Sequence, residues 1–84
     1  MKYQCPCCEF YTYPIAPKED AGYICPVCFW ENDAFLSSDA EPSCCNHGIT
    51  LQQAKINFAK FKAYEYDMIP NVRPPKEDEM IDNA

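Results

Sequence analysis

The sequence has no run of about 18 apolar residues, which excludes a transmembrane helix. No apolar signal segment follows Met1, because residues 2–10 already belong to a cysteine-rich motif. The cysteine count is seven, and an odd count does not suit a fully paired, secreted disulfide scaffold. We therefore expect a reduced, cytoplasmic protein.

The chain is also poor in the residues that nucleophilic or hydrolytic catalysis needs. Its single histidine, His47, has no serine or cysteine partner at an informative spacing. Glu31 and Asp33 lie two positions apart, which is typical of a solvated strand edge rather than of a catalytic carboxylate pair. We expect no enzymatic activity.

Glycine is scarce, with 2 residues against 8 prolines in a chain of 84. Many prolines stiffen the unfolded chain, but a core this small barely offsets an ordering cost of about 1.5 kcal/mol per residue. A structural zinc ion contributes about 10–16 kcal/mol of apparent binding free energy in small finger peptides. A bound metal would therefore decide whether the chain folds.

The most informative pattern is a pair of cysteine knuckles, CPCC at residues 5–8 and CPVC at residues 25–28. The spacing C-x2-C-x16-C-x2-C lies in the range typical of a tetrahedral zinc site. Thiolate sulfur suits Zn²⁺, and four thiolates leave no open coordination position, so the ion would be structural. We predict one structural Zn²⁺ with four ligands: Cys5, Cys8, Cys25 and Cys28.

Four further residues could bind metal. Cys7 could replace Cys8 only by shortening the pair to C-x-C, so we interpret it as a buried thiol beside the site. Cys44, Cys45 and His47 could join Cys7 in a second metal site, although no pair among them has the C-x2-C spacing. The simpler interpretation places those three in a surface loop.

A Cys-Pro-x-Cys pair is also typical of thiol-disulfide redox enzymes. In those enzymes a helix directly after the motif lowers the pKa of the first thiol. Residues 9–14 (EFYTYP) are strand-like and are then broken by proline, and two matched pairs are redundant for one dithiol enzyme. Redox activity is the least favoured alternative.

Short strands are predicted on both sides of the first knuckle, at residues 2–4 and 10–13, where aromatic side chains favour β structure. Residues 14–22, with two prolines and a glycine, predict a hairpin turn, and residues 32–48 predict a loop. Zinc-ribbon knuckles often carry glycine after the second cysteine, whereas Glu9 and Phe29 stand there in this chain.

An amphipathic helix is predicted at about residues 51–64. Thr50 can cap it, and Gln53 lies where a capping box places Glu or Gln. Its apolar face consists of Leu51, Ala54, Phe58 and Phe61. We predict a single domain over residues 1–76, followed by an acidic, disordered tail at residues 77–84.

The charge balance bears on partners. The chain has 7 basic and 13 acidic residues and a net charge of −6, and zinc on four thiolates gives −6 − 4 + 2 = −8. Proteins that bind nucleic acid usually present a basic face to its phosphates, so we do not expect this acidic chain to bind nucleic acid. We expect another protein as the partner, and a basic protein suits the charge.

The chain resembles the bacterial cysteine-rich CPCC proteins over about residues 1–76. The motifs in common are CPCC at residues 5–8, CPVCFWE at 25–31, NHGITLQQAKINF at 46–58 and VRPP at 72–75. The pattern N-x-G-x-[ST]-L-x-x-A is matched by Asn46, Gly48, Thr50, Leu51 and Ala54. The resemblance implies a zinc-ribbon-like domain with an appended helix, and it brings no catalytic residues.

Together these patterns predict a small metal-stabilised α+β fold with zinc-ribbon-like β-hairpins, one appended amphipathic helix and an extended C-terminal tail. The expected function is that of a non-enzymatic, zinc-binding protein-interaction module. The alternative is an inhibitor or immunity protein that blocks a basic site on a toxin or nuclease, by analogy with other small acidic proteins.

Overall fold

The chain opens with a short antiparallel hairpin around the first knuckle. The computed structural model describes residues 2–34 and 36–81. Strand β1 (Tyr3–Gln4) pairs with strand β2 (Tyr11–Tyr13), close to the two predicted strands. Tyr3 pairs with Tyr13 and Gln4 with Tyr11, so Thr12 is the extra residue of a β-bulge.

The turn of this hairpin is the knuckle itself. The prediction that residues 14–22 form the turn is wrong, because this segment instead connects the two knuckles and contains a 3-10 turn at Pro17–Glu19. After it, Ile24 and Glu31 form an isolated antiparallel bridge. Asn32 N–H donates to the Tyr23 carbonyl at 2.8 Å, so the second knuckle also lies at the tip of a short paired segment.

Helix α1 (Leu51–Phe61) begins as predicted. The Thr50 hydroxyl accepts a hydrogen bond from Gln53 N–H at 3.1 Å, which satisfies one of the open donors of the first turn. Leu51 and Ala54 on the predicted apolar face are buried. The α1 sequence therefore specifies both the start of the helix and the face that meets the core.

The predicted end of the helix near residue 64 is too late. Lys62 adopts a left-handed conformation (φ 65°), and its N–H donates to the Phe58 carbonyl, which closes the helix after Phe61. The chain then turns toward the second knuckle, where Tyr64 N–H donates to the Cys28 carbonyl at 2.8 Å. This long-range bond competes with continuation of the helix.

The loop before α1 contains a 3-10 turn at Cys44–Asn46. The buried side-chain amide of Asn46 accepts from Glu31 N–H and donates to the Glu31 carbonyl, each at 2.8 Å. It thus pairs with the backbone as a neighbouring strand would. Gly48 follows at φ 76°, a left-handed conformation that glycine adopts at low cost.

The C-terminal segment folds back over the second knuckle and the first hairpin. After a 3-10 turn at Tyr66–Asn71, an extended stretch is held where Arg73 N–H donates to the Pro26 carbonyl at 3.1 Å. A last 3-10 turn covers Glu77–Glu79, and the Glu79 side chain is buried against Arg73. The predicted disordered tail from residue 77 therefore differs from the structure at residues 77–79, which form this turn, and residues 82–84 lie outside the described residues.

The core is a single cluster built around cysteines. Five of the seven cysteines are buried in it, together with side chains from β2, from the second knuckle and the residues after it, from α1 and from the segment after α1: Tyr13, Val27, Trp30, Leu51, Ala54 and Tyr64. The result is a small α+β fold whose centre is sulfur-rich. Within the described ranges, no helix is long and apolar enough to cross a membrane.

Candidate metal centre

The first knuckle is a tight turn closed by two backbone hydrogen bonds. Glu9 N–H donates to the Cys5 carbonyl at 2.9 Å, and Cys5 N–H donates to the Phe10 carbonyl at 2.9 Å. Inside the turn, Cys7 N–H donates to the Cys5 sulfur at 3.4 Å. The turn brings Cys5 and Cys8 close enough for both sulfurs to face one point.

The second knuckle repeats this turn. Phe29 N–H donates to the Cys25 carbonyl at 2.7 Å, and Cys25 N–H donates to the Trp30 carbonyl at 3.0 Å. The residue after the second cysteine is left-handed in both turns, with φ 69° at Glu9 and φ 68° at Phe29. The knuckle conformation is therefore kept without glycine, at a strain of about 1–3 kcal/mol per residue.

The four predicted metal-binding cysteines meet in the core. The sulfurs of Cys5, Cys8, Cys25 and Cys28 all lie within 4.8 Å of one another, and each of these residues is buried. The close pairs run between the knuckles, with 3.6 Å from Cys5 to Cys28 and 3.7 Å from Cys8 to Cys25. Each knuckle thus supplies two sulfurs to one cluster.

The two short sulfur separations match those of a tetrahedral thiolate site, and the remaining ones are at most 4.8 Å. A disulfide bond has its sulfurs about 2.05 Å apart, and all seven cysteines are free. A metal with bonds of about 2.3 Å to four tetrahedral sulfurs would hold them about 3.8 Å apart. The donor set and its spacing therefore fit a metal ion such as Zn²⁺.

The four thiols lie within hydrogen-bonding distance of one another across the knuckles, which shifts their pKa values in opposite directions. Hydrogen bonds from Cys28, Cys5 and Cys8 lower the pKa of the Cys25 thiol, and the Thr12 hydroxyl adds to this effect. The bond with Cys25 raises the pKa of Cys8, and burial raises the pKa of Cys28. The cluster thus holds the pKa of Cys5 and Cys25 below their usual range and that of Cys8 and Cys28 above it, and four thiolates together require a cation.

Two hydroxyl groups of β2 lie beside the sulfurs. The Thr12 hydroxyl is 3.1 Å from the Cys25 sulfur, a hydrogen-bonding distance. The Tyr13 hydroxyl is buried without a satisfactory hydrogen bond among the described residues. Burial and then the charge of Cys5 raise the pKa of this phenol, so it stays protonated. A buried donor without an acceptor destabilises the fold by about 1–3 kcal/mol. We therefore expect the Tyr13 hydroxyl to have an acceptor in the functional state.

The remaining candidate ligands do not come together in a second cluster among the described residues. Cys7 is buried beside the four sulfurs, as interpreted from its spacing, whereas Cys44 and Cys45 are exposed. His47 is exposed, and its Nδ1 pairs with Glu65 Oε1 at 2.6 Å. Within residues 2–34 and 36–81, the four knuckle cysteines are the only group arranged to hold a metal. The described part of the chain therefore does not form the alternative second site.

Sequence reasoning missed two contributors to the site. Thr12 and Tyr13 were interpreted only as strand residues, because a bulge depends on strand pairing rather than on local propensity. Asn46 carried a signal, since it opens the family pattern. The structure gives it a physical role as the amide that fastens the backbone of Glu31, three residues after Cys28.

The fold and this cluster define a small α+β protein with four buried cysteines that could hold one metal ion. The chain belongs to the family described as Cysteine-rich CPCC, whose model matches residues 3–79, so the resemblance inferred from the motifs is confirmed. The matched region includes Glu79, in line with its folded position. No curated protein and no solved structure shows a significant match.

Proposed function

We propose that this chain is a non-enzymatic zinc-binding protein in a zinc-ribbon-like arrangement. One structural Zn²⁺ is held by the four knuckle cysteines and joins the two turns. The observation that carries the proposal is the sulfur spacing of 3.6 and 3.7 Å between buried, unbridged cysteines of different knuckles. Thiolate donors favour zinc over harder divalent ions such as Mg²⁺ or Ca²⁺.

A structural role for the ion follows from the donor set. Four thiolates saturate a tetrahedral zinc ion and leave no position for a water molecule or a substrate. The sulfur-bearing residues are also shielded, with exposed fractions from 0% at Cys25 to 6% at Cys8. The ion would therefore contribute free energy of folding rather than chemistry.

The redox alternative is less well supported by the same geometry. A reactive thiol needs access and an activating helix, whereas the first knuckle leads into strand β2 and the second into residues 29–34, which are non-helical. Seven free cysteines suit a reducing compartment such as the cytoplasm.

Native mass spectrometry of the purified chain tests the zinc proposal. We expect one zinc per chain, lost on treatment with a strong chelator together with the far-UV circular dichroism of the fold. The control is the Cys44→Ser, Cys45→Ser double variant, which keeps all four knuckle sulfurs and should bind one zinc. A wild-type spectrum without metal, or an unchanged fold after complete zinc removal, would contradict the proposal.

The interaction role rests on charge. The net charge of −6 becomes −8 with zinc on four thiolates (−6 − 4 + 2), and such a field attracts basic partners and repels nucleic acid. We propose a protein partner with a basic contact surface. An inhibitor of a basic toxin or nuclease site would be one special case of this binding.

The partner is sought by affinity capture with the zinc-loaded chain, followed by binding measurements with the purified partner. One variant neutralises four exposed acidic residues: Glu19, Asp39, Asp67 and Glu77. We expect this variant to bind the partner more weakly and with a smaller dependence on salt concentration. The matched control neutralises exposed Lys18 and Lys60 and should leave binding unchanged or stronger. A partner whose affinity does not depend on salt or on the acidic residues contradicts the charge argument.

A further inference from the structure

The bulge in β2 places two consecutive side chains in the same sulfur-rich core. In a regular strand, neighbouring side chains point to opposite faces. Thr12 and Tyr13 nevertheless are both buried, with exposed fractions of 4% and 0%. The register shift opposite Tyr3 and Gln4 accounts for this, because a bulge re-aims a side chain that regular pairing would turn away.

The two hydroxyls lie beside different knuckles. The Thr12 hydroxyl lies 3.1 Å from the sulfur of Cys25 in the second knuckle. The Tyr13 hydroxyl is buried in the same cluster as the knuckle cysteines without a hydrogen-bond partner among the described residues, and Cys5 in the first knuckle lies beside it. A fully buried donor without an acceptor points to an acceptor that forms when the cysteines ionise.

Metal loading supplies that acceptor. A divalent ion on four thiolates leaves a net charge of +2 − 4 = −2 inside the core, and a buried charge is costly unless it is hydrogen-bonded. A hydrogen bond to an ionised acceptor is stronger than one between neutral groups. Two hydroxyls buried beside the sulfurs are therefore suited to donate hydrogen bonds that spread the charge of the loaded cluster.

We propose that Thr12 and Tyr13 donate hydrogen bonds to the thiolates of Cys25 and Cys5, one in each knuckle, and that this pair sets how tightly the protein retains its metal. Both are positioning residues, since they act on the ion through the cysteines. The proposal rests on the proposed zinc site and adds to it the residues that tune it.

The test uses variants that remove one oxygen each. Tyr13→Phe and Thr12→Val keep the shape of the side chain, and we expect each to lower zinc affinity by about tenfold, the lower end of the usual effect of outer-shell partners. Zinc affinity is measured by competition with a chromophoric chelator. The matched control is Tyr11→Phe on the same strand, whose affinity should equal that of the wild type.

A spectroscopic readout separates hydrogen bonding from packing. In the cadmium-loaded protein, loss of a donor to sulfur should shift the ¹¹³Cd resonance of both variants away from that of the wild type and of Tyr11→Phe. Thr12→Ser retains the hydroxyl and loses only the methyl group, so it should recover the wild-type shift and affinity. Rescue by serine would not occur if Thr12 acted through packing alone.

The outcomes distinguish this proposal from the one on which it rests. If the wild type binds no zinc, the zinc site itself is wrong. If the wild type binds zinc but Tyr13→Phe retains it as tightly or more tightly, the phenol is only an unpaired buried group and the inference is overturned. An unchanged ¹¹³Cd shift in both variants would also overturn it.

Discussion

The two knuckles have the same turn but are held in place by different parts of the chain. The first is stabilised locally, by the pairing of β1 with β2 and by the Gln4 side chain, which donates to the Glu9 carbonyl at 3.1 Å. The second is stabilised from a distance. Tyr64 N–H and Arg73 N–H donate to the carbonyls of Cys28 and Pro26, respectively.

The aromatic residues that follow the two knuckles also differ, in how deeply they are buried. Phe10 and Trp30 occupy equivalent positions, each accepting the backbone bond from the first cysteine of its knuckle. Phe10 is half-buried, whereas Trp30 is 1% exposed and packs edge-to-face on Tyr64 with ring centroids 5.7 Å apart. A shared metal would therefore link a half ordered mainly by its own hairpin, with an added Lys2–Asp78 ion pair, to a half whose knuckle carbonyls are bound by later parts of the chain.

The largest effect is expected for variants that remove the metal link between the knuckles. Cys5→Ser and Cys25→Ser should both abolish cooperative folding, because either loss opens the metal site and a structural zinc contributes about 10–16 kcal/mol. Circular dichroism and thermal melts in excess zinc measure this. If the two variants differed greatly in stability, the sulfurs would not serve one common ion.

The second effect compares the equivalent aromatic residues. Trp30→Ala should destabilise the zinc-loaded protein by about 3–5 kcal/mol, the usual range for a fully buried aromatic side chain. Phe10→Ala should lose less, about 1–2 kcal/mol, because only part of the ring is buried. Denaturant unfolding at fixed free zinc measures both, and equal losses would remove the contrast between the knuckles.

The third effect concerns the ion pair that ties down the C-terminal segment. Arg73 donates to both carboxylate oxygens of Glu79 at 2.8 and 2.9 Å and lowers the pKa of Glu79 to about 2. Glu79→Gln should cost about 1–3 kcal/mol at pH 7. Amide exchange should accelerate more at Cys25 than at Cys5, because the Arg73 backbone supports only the second knuckle.

The pH dependence of that loss has a definite sign. A carboxyl group with a lowered folded pKa stabilises the protein above its unfolded value, here 4.5, and the stabilisation disappears as the pH falls toward about 2. The difference between wild type and Glu79→Gln should be constant from pH 8 to about 5 and shrink below that. Lys55→Ala, which removes a solvent-accessible pair with Glu9, is the control and should change stability little.

The smallest expected effect tests the left-handed residue of each turn. Glu9 is exposed, so Glu9→Gly should relieve backbone strain and stabilise the protein by about 0.5–1 kcal/mol. Phe29→Gly relieves the same strain but loses a half-buried ring that packs on the core, so it should give no gain. Matched thermal melts decide this, and destabilisation by Glu9→Gly would show that the turn does not strain Glu9.

The cysteine cluster was predictable because its information is local. A C-x2-C turn brings two sulfurs together in either knuckle, and the start of α1 depends on Thr50 and Gln53, which are neighbours in sequence. The end of α1 was not predictable in the same way. It depends on a backbone bond between Tyr64 and Cys28, which no periodicity in the helix sequence reveals.

The tail and the bulge were missed for similar reasons. The sequence of residues 77–79 (EDE) predicts a solvated acidic run, whereas Arg73, held at the second knuckle by its bond to Pro26, turns Glu79 inward. The directions of Thr12 and Tyr13 depend on how β1 pairs with β2, since a shift of one residue exchanges the two faces of a strand. Tertiary pairing decides both features.

Zinc-edge X-ray absorption of the protein purified under reducing conditions tests the central claim most directly. The account predicts one zinc per chain with four sulfur neighbours at about 2.3 Å and no nitrogen or oxygen in the first shell. A protein without metal whose knuckle cysteines are joined in disulfides, or a zinc with fewer than four sulfurs, would contradict it.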